Sequence, residues 1–297
     1  MNYQNYKDFR AKSSREILNC FQSLQIKSHE IIEVELLESD INSIGYKAFV
    51  DLAQLFFMKM LTPKQKENSV VLRFKKLDLE SSFHREENMG NEKYGVNSQF
   101  FTIEKTAQFA FLYHYEQALK FIDVKNKKRV LNLGINKGDE FLVIKEMLKD
   151  DEFKDKKFVG IDYSKSAIEF AKSNMRDENM EFICEDINRL NELNLEKFDL
   201  IISIGTLQSS NINFNTAFMS LFQNHLQKDG AMILGFPNCR WIDGEMIYGA
   251  KAPNYAFSEM SLVLKDIHFC KKYLQQKKYR VVITGKDYLF LTARKIG

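Results

Sequence analysis

The second half of the chain alternates short apolar runs with amphipathic stretches. The short runs are rich in Val, Ile, Leu and Phe, which is typical of buried strands. Between them, apolar residues recur every three or four positions, which is typical of helices with one buried face. Because helical stretches separate consecutive strands, the pattern predicts βα alternation around a mostly parallel sheet. The predicted strands are Val130–Leu133, Lys157–Asp162, Met180–Cys184, Phe198–Ile204 and Ala231–Phe236.

The C-terminal part of the chain departs from this alternation. A loop is predicted over Asn238–Phe257 and a long helix over Ser258–Lys277. Two β runs follow, Tyr279–Thr284 and Tyr288–Ala293, and only Gly285–Asp287 separates them. A connection this short cannot cross over a sheet, so the pattern predicts a terminal antiparallel hairpin.

The N-terminal part mixes helices and strands without regular alternation. A helix is predicted over Ile44–Met60, and strands over His29–Leu37 and Val70–Leu77, the second with one basic, solvent-facing side. We therefore predict an α/β protein in which residues 1–104 form a small α+β domain. Residues 105–297 are predicted to form a Rossmann-like, mostly parallel sheet that ends in the antiparallel hairpin.

Composition and charge narrow the function classes. Lys and Arg total 43 against 40 Asp and Glu, so the net charge of +3 gives no overall bias toward nucleic acid. The cysteines, Cys20, Cys184, Cys239 and Cys270, form no CxxC pair, so neither a zinc site nor a disulfide framework is predicted. The N-terminus carries no apolar signal core, and no apolar run reaches about 18 residues. We expect a cytoplasmic protein with no membrane association and no bound metal.

A glycine turn follows the first predicted strand of the alternating region. Gly134 and Gly138 lie where the chain must turn sharply and where a side chain would block close approach of a ligand. The helix that follows adds free N–H groups at its N-terminus, which suit an anionic or carboxylate-bearing ligand. Asp162, Asp186 and Gly205 also end predicted strands. Ligands of parallel sheets bind at the carboxyl ends of strands, so these residues are predicted to share one site.

This arrangement resembles the class I S-adenosylmethionine-dependent methyltransferase family over roughly residues 105–297. The family motif is an acidic residue followed by three alternating glycines. In Asn132-Leu133-Gly134-Ile135-Asn136-Lys137-Gly138 the first and last glycines match, whereas Asn132 replaces the acidic residue and Asn136 the middle glycine. Asn still forms hydrogen bonds and tolerates the left-handed conformation. The resemblance implies S-adenosylmethionine as cofactor, with Asn132, Gly134, Asn136 and Gly138 among the residues that bind it.

The resemblance also assigns roles at the other strand ends. Asp162 would accept hydrogen bonds from the ribose diol, and Asp186 would face the adenine amine. The end of the fourth strand and the loop after it, with Ser203, Gly205 and Gln208, would also bind the cofactor and line the methyl-transfer pocket. Helix capping remains an alternative role for Asp162, and a simple turn remains an alternative for Asp186.

No single catalytic residue follows from the sequence, because the cofactor carries the activated methyl group and a base is needed only for some acceptors. Candidates for a base or orienting group are His114 and Tyr113, in a predicted helix over Phe109–Val124, and Arg240 beyond the fifth strand. Core packing is the alternative for His114 and a structural role for Arg240. His84 is a further candidate, and Tyr94 is a candidate lid residue.

Three functions remain open at this point. The first is methylation of a small-molecule acceptor on oxygen or nitrogen, which neutral charge and aromatic richness favour. The second is methylation of RNA, with tRNA as one substrate and the basic strand Val70–Leu77 touching phosphates. The third is a methyltransferase-like binding module without catalysis, suggested by Asn132 and Asn136. The sequence does not predict the acceptor, the methylated atom or the oligomeric state.

Overall fold

A computed structural model describes residues 6–81, 90–248 and 260–296 of the chain. The chain divides into two compact units, Met1–Arg85 with Trp241–Tyr248, and Glu86–Arg240 with Gly249–Gly297. The sequence divides the chain after residue 104 instead, and the functional roles of the two parts stay predictions. His84 and the last part of the predicted loop lie outside the described residues.

The first unit is built around a four-stranded sheet in the order β1-β2-β4-β3. β1 pairs with β2 in parallel, and β4 pairs antiparallel with β2 and β3. The sheet and helices enclose an aromatic core in which Phe21 packs edge-on against Phe74, with ring centroids 5.5 Å apart. The elements are β1 (Tyr6–Asp8), α1 (Ser14–Ser23), β2 (Ile31–Leu37), α2 (Glu38–Ile44), α3 (Tyr46–Leu55), β3 (Met58–Gln65) and β4 (Ser69–Lys76).

Two predictions in this unit were wrong. The helix predicted to reach Met60 ends at Leu55, and the chain re-emerges as β3. β3 is an edge strand with a register shift between Leu61 and Lys64, which lets Pro63 lie in it because a missing N–H is tolerated at an edge or bulge. The segment predicted as a loop contains the hairpin strands β10 (Cys239–Ile242) and β11 (Glu245–Tyr248).

The second unit contains a seven-stranded sheet in the order β12-β13-β9-β8-β5-β6-β7. The five strands from β9 to β7 run parallel, and β13 pairs antiparallel with both β9 and β12. The predicted fold class, including the terminal hairpin, is confirmed. The elements are α4 (Phe109–Phe121), β5 (Arg129–Leu133), α5 (Asp139–Met147), α6 (Asp150–Lys154), β6 (Lys157–Asp162), α7 (Lys165–Asn174), β7 (Met180–Cys184), β8 (Phe198–Ile204), α8 (Phe214–Ser220), β9 (Leu226–Pro237), α9 (Ser261–Gln276), β12 (Tyr279–Gly285) and β13 (Tyr288–Lys295).

Helices cover both faces of this sheet. Val130 packs with α4 and α5 on one face, whereas Leu131 and Leu133 pack with α8 and α9 on the other, as the alternation of side chains along β5 requires. From β5 the chain moves outward through β6 to β7, then returns to place β8 on the other side of β5. The strand order therefore reverses between β5 and β8, and parallel sheets bind ligands at such a point, beyond the carboxyl ends of the strands.

No helix within the described ranges is long and apolar enough to cross a membrane.

Candidate functional site

The turn after β5 brings the backbone close to the end of β8. Gly134 has a φ of 73°, and a Cβ added there would lie 2.0 Å from Oγ1 of Thr206. The Thr206 hydroxyl in turn donates to the carbonyl of Leu133, at 3.0 Å. Only glycine fits this position, because any other residue would meet both an unfavourable φ and a steric clash.

The same turn continues through two more left-handed residues. Asn136 has a φ of 44° and Gly138 a φ of 91°. A Cβ on Gly138 would lie 1.6 Å from the Met175 side chain, and Gly138 directly precedes α5. The N-terminus of α5 therefore opens directly from the turn, as predicted, and its first N–H groups face the carboxyl edge of the sheet.

Asp162 is the last residue of β6, the strand next to β5, and its carboxylate binds backbone N–H groups at this edge of the sheet. The carboxylate is 7% exposed and accepts the backbone N–H of Asn136 through Oδ2 and that of Ser164 through Oδ1, each at 2.9 Å. Ser164, rather than Asp162, is the N-cap of α7. Burial raises the pKa of Asp162, against the lowering effect of these amide hydrogen bonds. The structure thus joins Asp162 directly to the glycine turn.

Several polar side chains at the strand ends are buried without a hydrogen-bond partner among the described residues. They include both amide atoms of Asn132, Oγ of Ser203 and Oε1 of Gln208. Asn132 lies on the same face of the sheet as Val130, whereas Ser203 lies on the opposite face with Ile201. Buried polar groups are normally paired, so unpaired ones at a strand end are expected where a ligand binds.

The remaining predicted cofactor residues differ in their surroundings. Asp186 accepts the backbone N–H of Asn188 at 2.8 Å and caps the short 3₁₀ helix that begins at Ile187, which is the turn role left open above. Gly205 has a φ of 78°, and its N–H donates to the Gly235 carbonyl at 2.9 Å, so it closes the end of β8 against β9. A cofactor role for either residue stays a prediction.

The three candidate catalytic residues are spread over two elements. Tyr113 is 60% exposed on α4, and its ring lies 5.3 Å from that of the half-buried His114. Arg240 is in β10, with only 9% of its surface exposed. No hydrogen bond in the described part of the chain joins Tyr113 or His114 to Asp162, and their catalytic roles stay predictions.

The structure shows a buried ion pair that the sequence analysis missed. Lys105 donates to Oε1 of Glu140 at 2.5 Å, and the side chains are 14% and 1% exposed. Burial alone would lower the pKa of Lys105, but the charges of Glu140 and Asp139 outweigh it and raise that pKa. The pair ties the segment before α4 to the first turn of α5. The sequence does not predict this ion pair, because 35 residues separate the two partners.

A second missed residue is Glu92, which acts at the N-terminus of α7. Its carboxylate accepts the hydroxyls of Ser164, at 3.0 Å, and Ser166. Burial opposes ionisation here, but these bonds and backbone N–H groups lower the pKa of Glu92 overall. In the described residues, no group of three or more His, Cys, Asp or Glu side chains could hold a metal ion.

Comparisons with known proteins identify the family of the chain. A family model described as a methyltransferase domain matches residues 124–281. Malonyl-[acyl-carrier protein] O-methyltransferase of Acetivibrio thermocellus is 36% identical over 90 residues, which is 30% of this chain and 30% of that protein. The chain therefore matches less than a third of that relative's length.

Solved structures of low identity also align with the chain. N-methyltransferase NodS of Bradyrhizobium japonicum, in complex with S-adenosyl-L-homocysteine, is 16% identical with a TM-score of 0.42, over 64% of this chain and 89% of that chain. A TehB-like SAM-dependent methyltransferase of Corynebacterium glutamicum is 13% identical with a TM-score of 0.39, over 60% of this chain and 87% of that chain.

Proposed function

The chain belongs to the methyltransferase-domain family, and from this premise we propose that it is an S-adenosylmethionine-dependent methyltransferase with a small-molecule acceptor. The observation that carries the proposal is the buried Asp162 carboxylate beside the glycine turn. Its two oxygens accept the backbone N–H groups of Asn136 and Ser164, and the Tyr163 N–H also bonds this carboxylate. A carboxylate has about four lone-pair sites, so it keeps acceptor capacity for a ligand. A pair of adjacent hydroxyls, as in a ribose, matches two such acceptors.

The residues at the strand ends fit this cofactor. The glycine turn lets a ligand approach the backbone closely, since Cβ atoms would fill the space at Gly134 and Gly138. The unpaired amide of Asn132 offers both a donor and an acceptor below the turn. Asn132, Gly134, Asn136, Gly138 and Asp162 are therefore the residues that we expect to hold the cofactor.

The expected chemistry is an in-line displacement. When bound, the cofactor supplies a methyl group already activated on a sulfonium. The chain then has to orient the acceptor and exclude water, which can account for much of a rate enhancement without a dedicated base. The buried hydroxyl of Ser203, near the end of β8, and the amide oxygen of Gln208, in the loop that follows, are suited to orienting an acceptor by hydrogen bonding.

The charges of the first unit favour a small molecule over RNA as the acceptor. Five of the basic side chains on and near β4 lie beside carboxylates, and Lys76 donates to the Phe56 carbonyl instead, so this surface presents little free positive charge to a phosphate backbone. The pairs are Lys59 with Glu245, Lys64 and Arg73 with Glu33, Lys66 with Glu35, and Lys75 with Asp243.

Two binding measurements test the proposal. Calorimetric titration with S-adenosylhomocysteine should show binding to the chain. Absence of binding would contradict the proposal and favour the hypothesis of a binding module without catalysis. Titration with tRNA at low salt should show no association. Tight tRNA binding that weakens steeply with salt would instead favour the RNA methyltransferase.

A further inference from the structure

We propose that residues 90–104, here called the strap, close over the cofactor cleft, and that Asn136 is the positioning residue that fastens the strap to the glycine turn. The proposal rests on the proposed function, because the cofactor defines what the strap covers. It concerns the position at which this chain departs from the family motif. On this proposal, the asparagine that replaces the middle glycine of the motif has a specific role, which is to hold the strap.

Asn136 joins the strap to the end of β5. Its backbone N–H is held by Asp162, while its side-chain Nδ2 donates to the Tyr94 carbonyl at 2.7 Å. A glycine at this position could adopt the same φ but could not form the second bond. Asn is among the few residues with a side chain that tolerate the left-handed region, so it serves both needs.

Glu92 joins the strap to the N-terminus of α7. Besides the two hydroxyls described above, its Oε1 accepts the Ser166 N–H at 3.3 Å, and the Ser166 hydroxyl accepts the Val96 N–H at 3.0 Å. A carboxylate is favoured here because the free N–H groups of a helix start carry partial positive charge. Gly95 allows the contact, since its Cβ would lie 2.0 Å from Oε2 of Glu92.

Tyr94 carries the strap across to the other side of the cleft. Its phenol forms a hydrogen bond with the side chain of Ser209, in the loop after β8. Burial raises the pKa of Tyr94, and the charge of Asp162 raises it further. Its ring is supported edge-on by Phe100, with centroids 5.0 Å apart. Tyr94 thus runs from the turn after β5 to the loop after β8, over the point where the strand order reverses.

The far end of the strap is held by Lys137. Its ammonium donates to Oε1 of Glu104 at 2.6 Å and lies 5.0 Å from the ring centroid of Phe101. Phe101 also packs edge-on against Phe170 of α7. With both rims attached, a ligand at Asp162 can leave only after the strap detaches, so these bonds should set its release rate.

The test compares the wild-type chain with Asn136→Gly, which deletes the fastening bond and keeps the left-handed backbone. The matched control is Asn194→Gly, at another asparagine with positive φ, 50°, outside the strap. Displacement of a fluorescent S-adenosylhomocysteine analogue by excess S-adenosylhomocysteine gives the release rate. We expect Asn136→Gly to release the analogue about 3- to 10-fold faster, which is the worth of one hydrogen bond, and the control to match wild type.

Hydrogen exchange without ligand provides a readout that does not need the cofactor. The amides of the strap should exchange faster in Asn136→Gly and in Glu92→Gln, while those of β5 and β6 stay as in wild type. Glu92→Gln also serves as the test if Asn136→Gly does not fold.

Three results would overturn the proposal. Wild-type release and exchange rates in Asn136→Gly would show that the bond does not hold the strap. Equal acceleration in Asn194→Gly would show a general loss of rigidity. Failure of the wild-type chain to bind S-adenosylhomocysteine would overturn the proposed function, and the strap's role with it, and is distinguished by calorimetry before any variant is made.

Discussion

After β5 the chain turns through Gly134, Asn136 and Gly138, with φ values of 73°, 44° and 91°. The two glycines let the turn be predicted from the sequence alone, since few other residues adopt a positive φ next to packed neighbours. Asp162 is similarly visible in the sequence as an acidic residue at a strand end. What the sequence does not indicate is that Asn136 binds both Asp162 and Tyr94, because those partners lie 26 and 42 residues away.

Gly134→Ala should destabilise the second unit strongly. The added methyl group would lie 2.0 Å from Oγ1 of Thr206, and the alanine backbone would have to keep a positive φ. We expect a loss of about 2–4 kcal/mol in the free energy of unfolding, measured by urea denaturation. Gly205→Ala is the matched control, because φ is 78° there but the nearest atom is 3.4 Å away, so its cost should be only the roughly 1–2 kcal/mol of a positive φ. Equal costs would contradict the role given to the Thr206 contact.

The affinity for S-adenosylhomocysteine should depend on the ionisation of Asp162. Burial raises the pKa of this carboxyl. Only the ionised form offers acceptors on both oxygens, so affinity should fall as the pH falls through the raised pKa, and the fall should begin at a higher pH than for an ordinary Asp. Calorimetry from neutral to acidic pH checks this. An affinity that stays constant until the protein unfolds would contradict the assignment.

The contribution of Asp162 to the stability of the fold has the opposite pH dependence. The folded state holds the Asp162 proton to a higher pH than the unfolded chain does. The contribution of this carboxyl to stability is therefore present at low pH and is lost as the pH rises through the raised pKa. Cofactor binding and stability thus make opposite demands on the same buried carboxyl, as is common at binding sites.

At the scale of elements, the parallel strands were the easiest to predict. Lys157–Asp162, Met180–Cys184 and Phe198–Ile204 have the predicted bounds, since buried strands read as short apolar runs between polar turns. β3 was missed because Met58–Met60 continues the apolar pattern of α3. The β10–β11 hairpin was missed because its partners are remote in sequence, such as Gln54, which donates to the Met246 carbonyl.

The attachment of the segment before α4 to α5 should depend on both members of the Lys105–Glu140 pair. Lys105→Met would leave the Glu140 carboxylate buried without its cation, and we expect a loss of about 3–5 kcal/mol in the free energy of unfolding. Lys105→Met combined with Glu140→Gln should recover much of that loss, since no buried charge remains. Urea denaturation of the single and double variants gives the coupling. Additive effects would contradict a direct interaction.

At the scale of the whole molecule, the topology decides where the site lies. The reversal of strand order between β5 and β8 collects the glycine turn, Asp162 and the loop after β8 at one edge. The sequence predicted this edge from strand ends alone. It also indicated Tyr94 as a candidate lid residue. It could not predict which residues attach the strap over residues 90–104, because that segment lacks any periodic pattern and its contacts are with residues distant in sequence.

The first unit is the part whose function the sequence predicted least. Its strand β4 is basic in sequence, yet in the folded chain Arg73 of β4 pairs with Glu33 of β2, as does Lys64 of β3, and Lys75 pairs with Asp243. Pairing of this kind depends on strand register, which a basic run by itself does not reveal. Its contribution to acceptor binding stays a prediction.

The central claim is that Asp162 binds an adenosine-bearing cofactor. Calorimetric titration with S-adenosylhomocysteine tests this claim most directly. The titration compares wild type with two matched variants. Asp162→Asn replaces one of the two acceptor oxygens at the carboxyl edge with an NH2 donor and removes the charge. Asp199→Asn alters a carboxylate that likewise accepts two backbone N–H groups, those of Lys128 and Arg129, but at the opposite edge of the sheet. We expect wild type and Asp199→Asn to bind alike and Asp162→Asn to bind at least about 10-fold more weakly. Equal binding by all three, or no binding by wild type, would contradict the claim.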